Sequence, residues 1–135
     1  YDYVIEAIDT VSGKLAIVKA CAAAKTPIVS CMGAGNKLDP TAFEVTDIYR
    51  TKVCPLAKVM RKLCRENGIK CLRVIYSREI PIAAAQSETA AKREGAYKPR
   101  VPGSVAFVPS VAGLIAAGEA VKAIAGVYGN GIDRS

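Results

Sequence analysis

The chain begins with short apolar runs separated by a helical pattern. Tyr3 to Ile8 (YVIEAI) is mostly apolar and ends at Asp9, which reads as a strand buried on both faces, as in a parallel sheet. Thr10 or Ser12 is placed to cap a helix over roughly Gly13 to Lys25. Val11, Leu15, Val18 and Ala22 fall at helical spacing there, and Thr26-Pro27 ends it. Ile28 to Met32 (IVSCM) is a second apolar strand, closed by Gly33-Ala34-Gly35. Strand, helix and strand in that order predict a right-handed βαβ unit with parallel strands. The carboxyl ends of both strands then share one sheet edge, so Asp9 and the glycine turn lie together where open α/β sheets bind ligands.

Beyond Asn36 the period changes. Phe43 to Arg50 alternates with polar residues, as an antiparallel strand near an edge would. Pro55 to Asn67 predicts an amphipathic helix: Leu56, Val59, Met60, Leu63 and Cys64 form one stripe, and Lys58, Arg61, Lys62 and Arg65 lie opposite. Gly68 sits where a C′ glycine ends a helix. Cys71 to Ser77 is a further strand, and 80–102 is rich in Ala, Pro and charge, a linker or mobile crossover. Gly103 to Val108 reads as a last strand, Val111 to Ala125 as a helix of small residues, and 128–135 as a tail. The fold class is α/β, in one domain over 1–127.

Composition narrows the chemistry. At 135 residues the chain has room for one core, and 51% hydrophobic against 23% charged residues excludes a disordered or collagen-like polymer. The run Val105 to Gly118 is too short to span a bilayer, and Glu119 and Lys122 interrupt its continuation. Nineteen Lys and Arg against 12 Asp and Glu give a net charge of +7, which favours polyanionic partners. Histidine is absent, which removes Ser-His-Asp and Cys-His catalysis and most zinc sites. The five cysteines form no C-x-x-C pair, as expected of reduced thiols in a cytosolic protein. Cys21 and Cys64 read as core residues, while Cys54 and Cys71 have the basic neighbours that lower a thiol pKa.

Four candidate features remain. A carboxylate such as Asp9, after a parallel strand, either holds Mg²⁺ or a ligand hydroxyl or caps the next helix. Lys14 opposes the dipole of that helix, so it either meets a phosphate or lies on the surface. Gly33 and Gly35 allow close backbone approach to a ligand, but no G-x-G-x-x-G or G-x-x-x-x-G-K-[ST] loop is present. Nine cations fall between Arg50 and Arg78, enough for several phosphate contacts or for a solvated face.

The segments YDYVIEAIDTVSGK and PIVSCMGAGNKLDPTAFEVTDIYRTKVCPLAKVMRKL, with GSVAFVPSVAG later, resemble the ubiquitin-activating-enzyme-like adenylating family (HesA/MoeB/ThiF). Within it they look most like the branch that acts on threonylcarbamoyladenosine in tRNA. The resemblance covers roughly Tyr1 to Gly126 and implies a Rossmann-like mixed sheet with flanking helices. It also implies a cytoplasmic enzyme that uses ATP and Mg²⁺ to adenylate a carboxylate. By this resemblance Asp9 would be the Mg²⁺ ligand and catalytic residue and Lys14 would touch phosphate, with Gly33 and Gly35 beside them as nucleotide-binding candidates; the basic face of Lys58, Arg61, Lys62 and Arg65 fits a tRNA substrate independently of the resemblance. A homodimer and a sulfur-transfer partner protein are further implied. The family's G-x-G-G-V-G-S strand–turn–helix has no counterpart here, so the chain looks like the carboxyl half of the family domain. A sister enzyme activating a ubiquitin-like sulfur-carrier protein is the alternative, though its usual C-x-x-C pairs are missing. A non-catalytic nucleic-acid-binding or dimerisation fragment is another.

Overall fold

Three short apolar segments, Val4–Glu6 (β1), Ile28–Cys31 (β2) and Arg73–Ser77 (β4), pair in parallel in the order β1-β2-β4. Phe43–Asp47 (β3) closes the far edge antiparallel to β4, with Val45 opposite Ile75. This computed structural model describes residues 1–82 and 103–127. Val29, Val74 and Ile75 are fully buried, as the central strands of a two-faced sheet require. The expected mixed α/β sheet is therefore present, with β3 at its antiparallel edge. Most of the proposed 80–102 crossover and the 128–135 tail lie outside the described residues.

Val11–Ala24 (α1) and Pro55–Glu66 (α2) cover one face of the sheet. Their core joins Val18, Ile48, Ala57, Met60, Cys64 and Val74. The stripe on α2 differs from the expected one. Ala57, Met60 and Cys64 are buried, Leu56 and Leu63 are half-buried, and Val59 is 46% exposed. Proline occupies the first helical position of α2, where its missing N–H costs nothing. Gly68 (φ +69) ends it in a Schellman arrangement, with Gly68 N–H on the Arg65 carbonyl and Ile69 N–H on that of Cys64. On α1, Cys21 is buried in place of the expected Ala22.

Three boundaries move. β1 stops at Glu6, so Asp9 lies in the loop beyond it. β3 stops at Asp47, whose carboxylate accepts from Tyr49 N–H and turns Ile48–Arg50 into a 3-10 turn. The expected strand over Gly103 to Val108 does not form, because helix α3 (Phe107–Ile124) begins there. Its 18 residues, with mean hydropathy 1.5, are long and apolar enough by length and composition to cross a membrane, unlike the shorter run seen in sequence. In this fold Val108, Ala112, Ala116 and Glu119 are its buried positions, and Ala112 and Ala116 pack with Val29 and Ile75 on the second face of the sheet.

Candidate functional site

The carboxyl ends of β1, β2 and β4 form the edge where a ligand would sit. Asp9 is exposed there, and its carboxylate has no hydrogen bond or ion pair among the described residues. Thr10 occupies the N-cap position of α1 with extended backbone, yet makes no side-chain cap bond. The capping alternative for Asp9, and the expected caps by Thr10 or Ser12, are thereby corrected. The first turn of α1 keeps its N–H groups uncapped beside a free carboxylate.

Directly below lies a charge network. Lys14 is 2% exposed, not on the surface. Its ammonium donates to Glu6 Oε1 at 2.9 Å, to Glu6 Oε2 at 3.0 Å and to the Cys31 carbonyl at 2.6 Å. A phosphate contact would require it to give up at least one of these acceptors, which account for the three N–H donors of an ammonium. Ser30 Oγ donates to Glu6 Oε2 at 2.5 Å, and Ile8 N–H to Glu6 Oε1 at 2.7 Å. One carboxylate thus joins β1, α1 and β2 and sets the course of the chain into the Asp9 loop.

The glycine turn is fixed from inside by a second buried lysine. Lys37 is 3% exposed and donates from Nζ to the Gly33 carbonyl at 2.7 Å. Burial lowers its pKa below the usual lysine value, and the neighbouring Cys54 and Glu79 only partly offset this. A Cβ at Gly33 would meet Leu56 Cβ at 3.8 Å and Cys54 Sγ at 3.9 Å, ordinary contacts, so packing does not demand glycine there. Next to Gly35, Asn36 (φ +56) receives Ile82 N–H on its carbonyl and Gly103 N–H on Oδ1, and donates its own N–H to the Gly103 carbonyl. Glu79 accepts from Leu38 and Asp39 N–H, tying the loop after β4 to the loop after β2.

The basic residues separate into committed and free. Arg61 is half-buried, with its guanidinium on the Thr51 carbonyl at 2.5 Å and Thr51 Oγ1 at 2.7 Å, so it leaves the expected tRNA face. Arg73 pairs with Glu119 and Arg78 with Glu44. Lys58, Lys62 and Arg65 remain exposed on α2; Lys62 lies 3.8 Å from Glu66, and Arg65 sits 5.4 Å over the Tyr49 ring. Cys54 is buried at the N-cap of α2, Cys71 is exposed, and burial raises the Cys31 thiol pKa. Glu6, Lys37 and Asn36 escaped the sequence reading. For Glu6 a signal existed: an acid inside an apolar run has to be met by a cation.

A mixed α/β sheet with flanking helices, and a carboxylate and a glycine turn on its carboxyl edge, defines a Rossmann-like domain. The chain belongs to the ThiF family, whose model matches residues 1–134. It is 45% identical over 127 residues to the tRNA threonylcarbamoyladenosine dehydratase of Bacillus subtilis (89% of this chain, 49% of that one). It is 42% identical over 67 residues to the Escherichia coli enzyme of the same name, covering 50% and 25% of the two chains. The crystal structure of the E. coli dehydratase with AMP superposes with a TM-score of 0.75 at 29% identity, covering 93% of this chain and 50% of that one. The ATP complex gives the same TM-score. The chain thus spans about half the length of the relatives it matches.

Proposed function

We propose that this chain is the carboxyl-terminal half of an ATP-dependent tRNA threonylcarbamoyladenosine dehydratase. The 45% identity to the B. subtilis enzyme over 127 residues carries the reading. In this reading the substrate is tRNA, the enzyme is cytoplasmic and homodimeric, and a sulfur-transfer protein is a further partner.

The carboxylate of the threonylcarbamoyl group attacks the α-phosphorus of ATP, forming an acyl-adenylate and releasing pyrophosphate. The carbamoyl group then closes a ring on the acyl carbon and AMP departs, so the net change in the nucleoside is loss of one water. Neither step needs a protein nucleophile, only positioning and charge neutralisation, which suits a chain without histidine. No group of three or more His, Cys, Asp or Glu among the described residues is arranged to hold a metal by itself. Mg²⁺ instead takes one or two carboxylates together with substrate phosphates, and the free carboxylate of Asp9 fits that mode. When bound, the ion would neutralise phosphate charge. Asp9 would hold it, and the uncapped first turn of α1 would donate N–H groups to a phosphate. Gly33 and Gly35, their turn braced by Lys37, would border the nucleotide. The Glu6–Lys14 pair supports this loop from below.

The test uses the full-length protein with threonylcarbamoyladenosine-containing tRNA. Wild type should catalyse ATP–pyrophosphate exchange and remove one water from the nucleoside. Asp9→Ala should abolish exchange without loss of thermal stability, since the exposed Asp9 carboxylate makes no hydrogen bond or ion pair among the described residues. Persisting exchange would take Asp9 out of the mechanism.

A further inference from the structure

On the edge of the sheet opposite Asp9, an open groove of about 1240 Å³ lies between the ends of α1 and α2, the end of β3 and helix α3. Its floor is apolar, formed in part by Val18, Ile28 and Leu72. Its walls carry Lys25, Arg50, Lys70, Arg73 and Lys122 against two carboxylates, Asp47 and Glu119. Both acids are committed. Asp47 accepts from Tyr49 and Leu72 N–H, and Glu119 is bound by Arg73 and Lys122. Lys25, Arg50 and Lys70 are exposed and have no acidic partner among the described residues.

A plainer role for such cations is to offset helix C-termini. Three helices, α1, α2 and α3, end at this rim. Each C-terminus is equivalent to about half a negative charge, about one and a half in total. Five cations against two carboxylates exceed that, so the groove stays positive. It is also not isolated. Lys58, Lys62 and Arg65 run along α2 toward it, and Arg65 stacks on Tyr49, which lines it. The 12 residues of α2 span about 18 Å, so exposed cations extend along this face from the carboxyl edge to the groove.

We propose that this amino-edge groove binds the phosphodiester backbone of the tRNA substrate, far from the adenylation site, with α2 as the path between them. The proposal rests on the reading of tRNA as substrate. Phosphate contacts of this kind position an RNA without reading its sequence.

The experiment measures tRNA affinity of the full-length protein between about 0.05 and 0.2 M salt, the range in which phosphate contacts show their salt dependence. The groove variant is Lys25→Gly/Arg50→Ala/Lys70→Ala. Lys25 holds a left-handed backbone (φ +54), so glycine relieves that conformation while removing the charge. A single Lys70→Glu, at an exposed coil position, is the second variant and is used if the triple melts early. Each lost contact should lower the slope of log affinity against log salt by about 0.7 to 0.9, so the triple should lose about 2 to 3. Lys70→Glu should weaken binding and flatten the slope. An unchanged slope in variants that fold, with wild type still binding tRNA, would overturn the groove alone. A slope that falls only in Lys58→Ala/Lys62→Ala would overturn it too, leaving α2 as the RNA surface. Wild type that fails to bind tRNA in this range would overturn the substrate reading itself.

Discussion

The Glu6–Lys14 pair shows how one buried contact governs both stability and site geometry. Both side chains are almost fully excluded from solvent, and removing one partner of such a pair costs about 3 to 5 kcal/mol because the other stays buried and uncompensated. Lys14→Met should therefore lower the stability read by urea unfolding by that amount. Glu6→Gln/Lys14→Met should cost clearly less than the sum of the two single variants. Additive losses would mean that the two groups act separately. Glu119 gives a pH signature. Burial works against its charge, but hydrogen bonds and charges from Lys122 and Arg73 outweigh this and hold its pKa below the ordinary 4.5. A carboxylate with a depressed folded pKa contributes stability above its unfolded value and loses it as pH falls. Glu119→Gln should thus be less stable than wild type by about 1.5 to 3 kcal/mol at neutral pH, and the gap should close as the pH drops below 4.5. A gap that does not change with pH would remove the charge from the account. Asp9 and the glycine turn were legible in the sequence because strand ends and glycines mark their places. Lys14 was not, since helical spacing shows which face a residue takes but not that an acid eight positions earlier lies under that face.

Among the elements, α2 separates what periodicity can reveal from what it cannot. Its amphipathic character, its proline start and its glycine stop were all readable, yet the stripe was set one position too wide. Val59 lies at the boundary of the apolar arc, and the rotation that exposes it comes from packing against Val18, Ile48 and Val74. Met60→Ala should cost about 2 to 5 kcal/mol, whereas Val59→Ala should cost under about 1 kcal/mol. Comparable costs would show that the helix is rotated from the position described. The strand expected at Gly103 to Val108 failed for a related reason. Short apolar runs carry no period that separates strand from helix, and α3 extends one turn further toward its N-terminus than its small residues suggested.

At the scale of the whole molecule, the parallel pairing of β1 with β2 and the sharing of one edge by Asp9 and the glycine turn followed from the βαβ rule, and the antiparallel edge strand from its polar alternation, whereas the sheet order did not show in the sequence. The tertiary commitments of the cations did not, because Arg61 and Arg73 find partners distant in sequence. These 135 residues contain no phosphate-cradling loop. On their own they should show no micromolar ATP binding by calorimetry, and such binding would place the phosphate site within them. The three hydrogen bonds at Asn36 have a topological consequence. They bring Ile82 and Gly103, far apart in the chain, together at one residue beside the glycine turn. Asn36 is therefore a clasp: losing its side-chain amide would release the Gly103 anchor while the backbone bond to Ile82 stays in place.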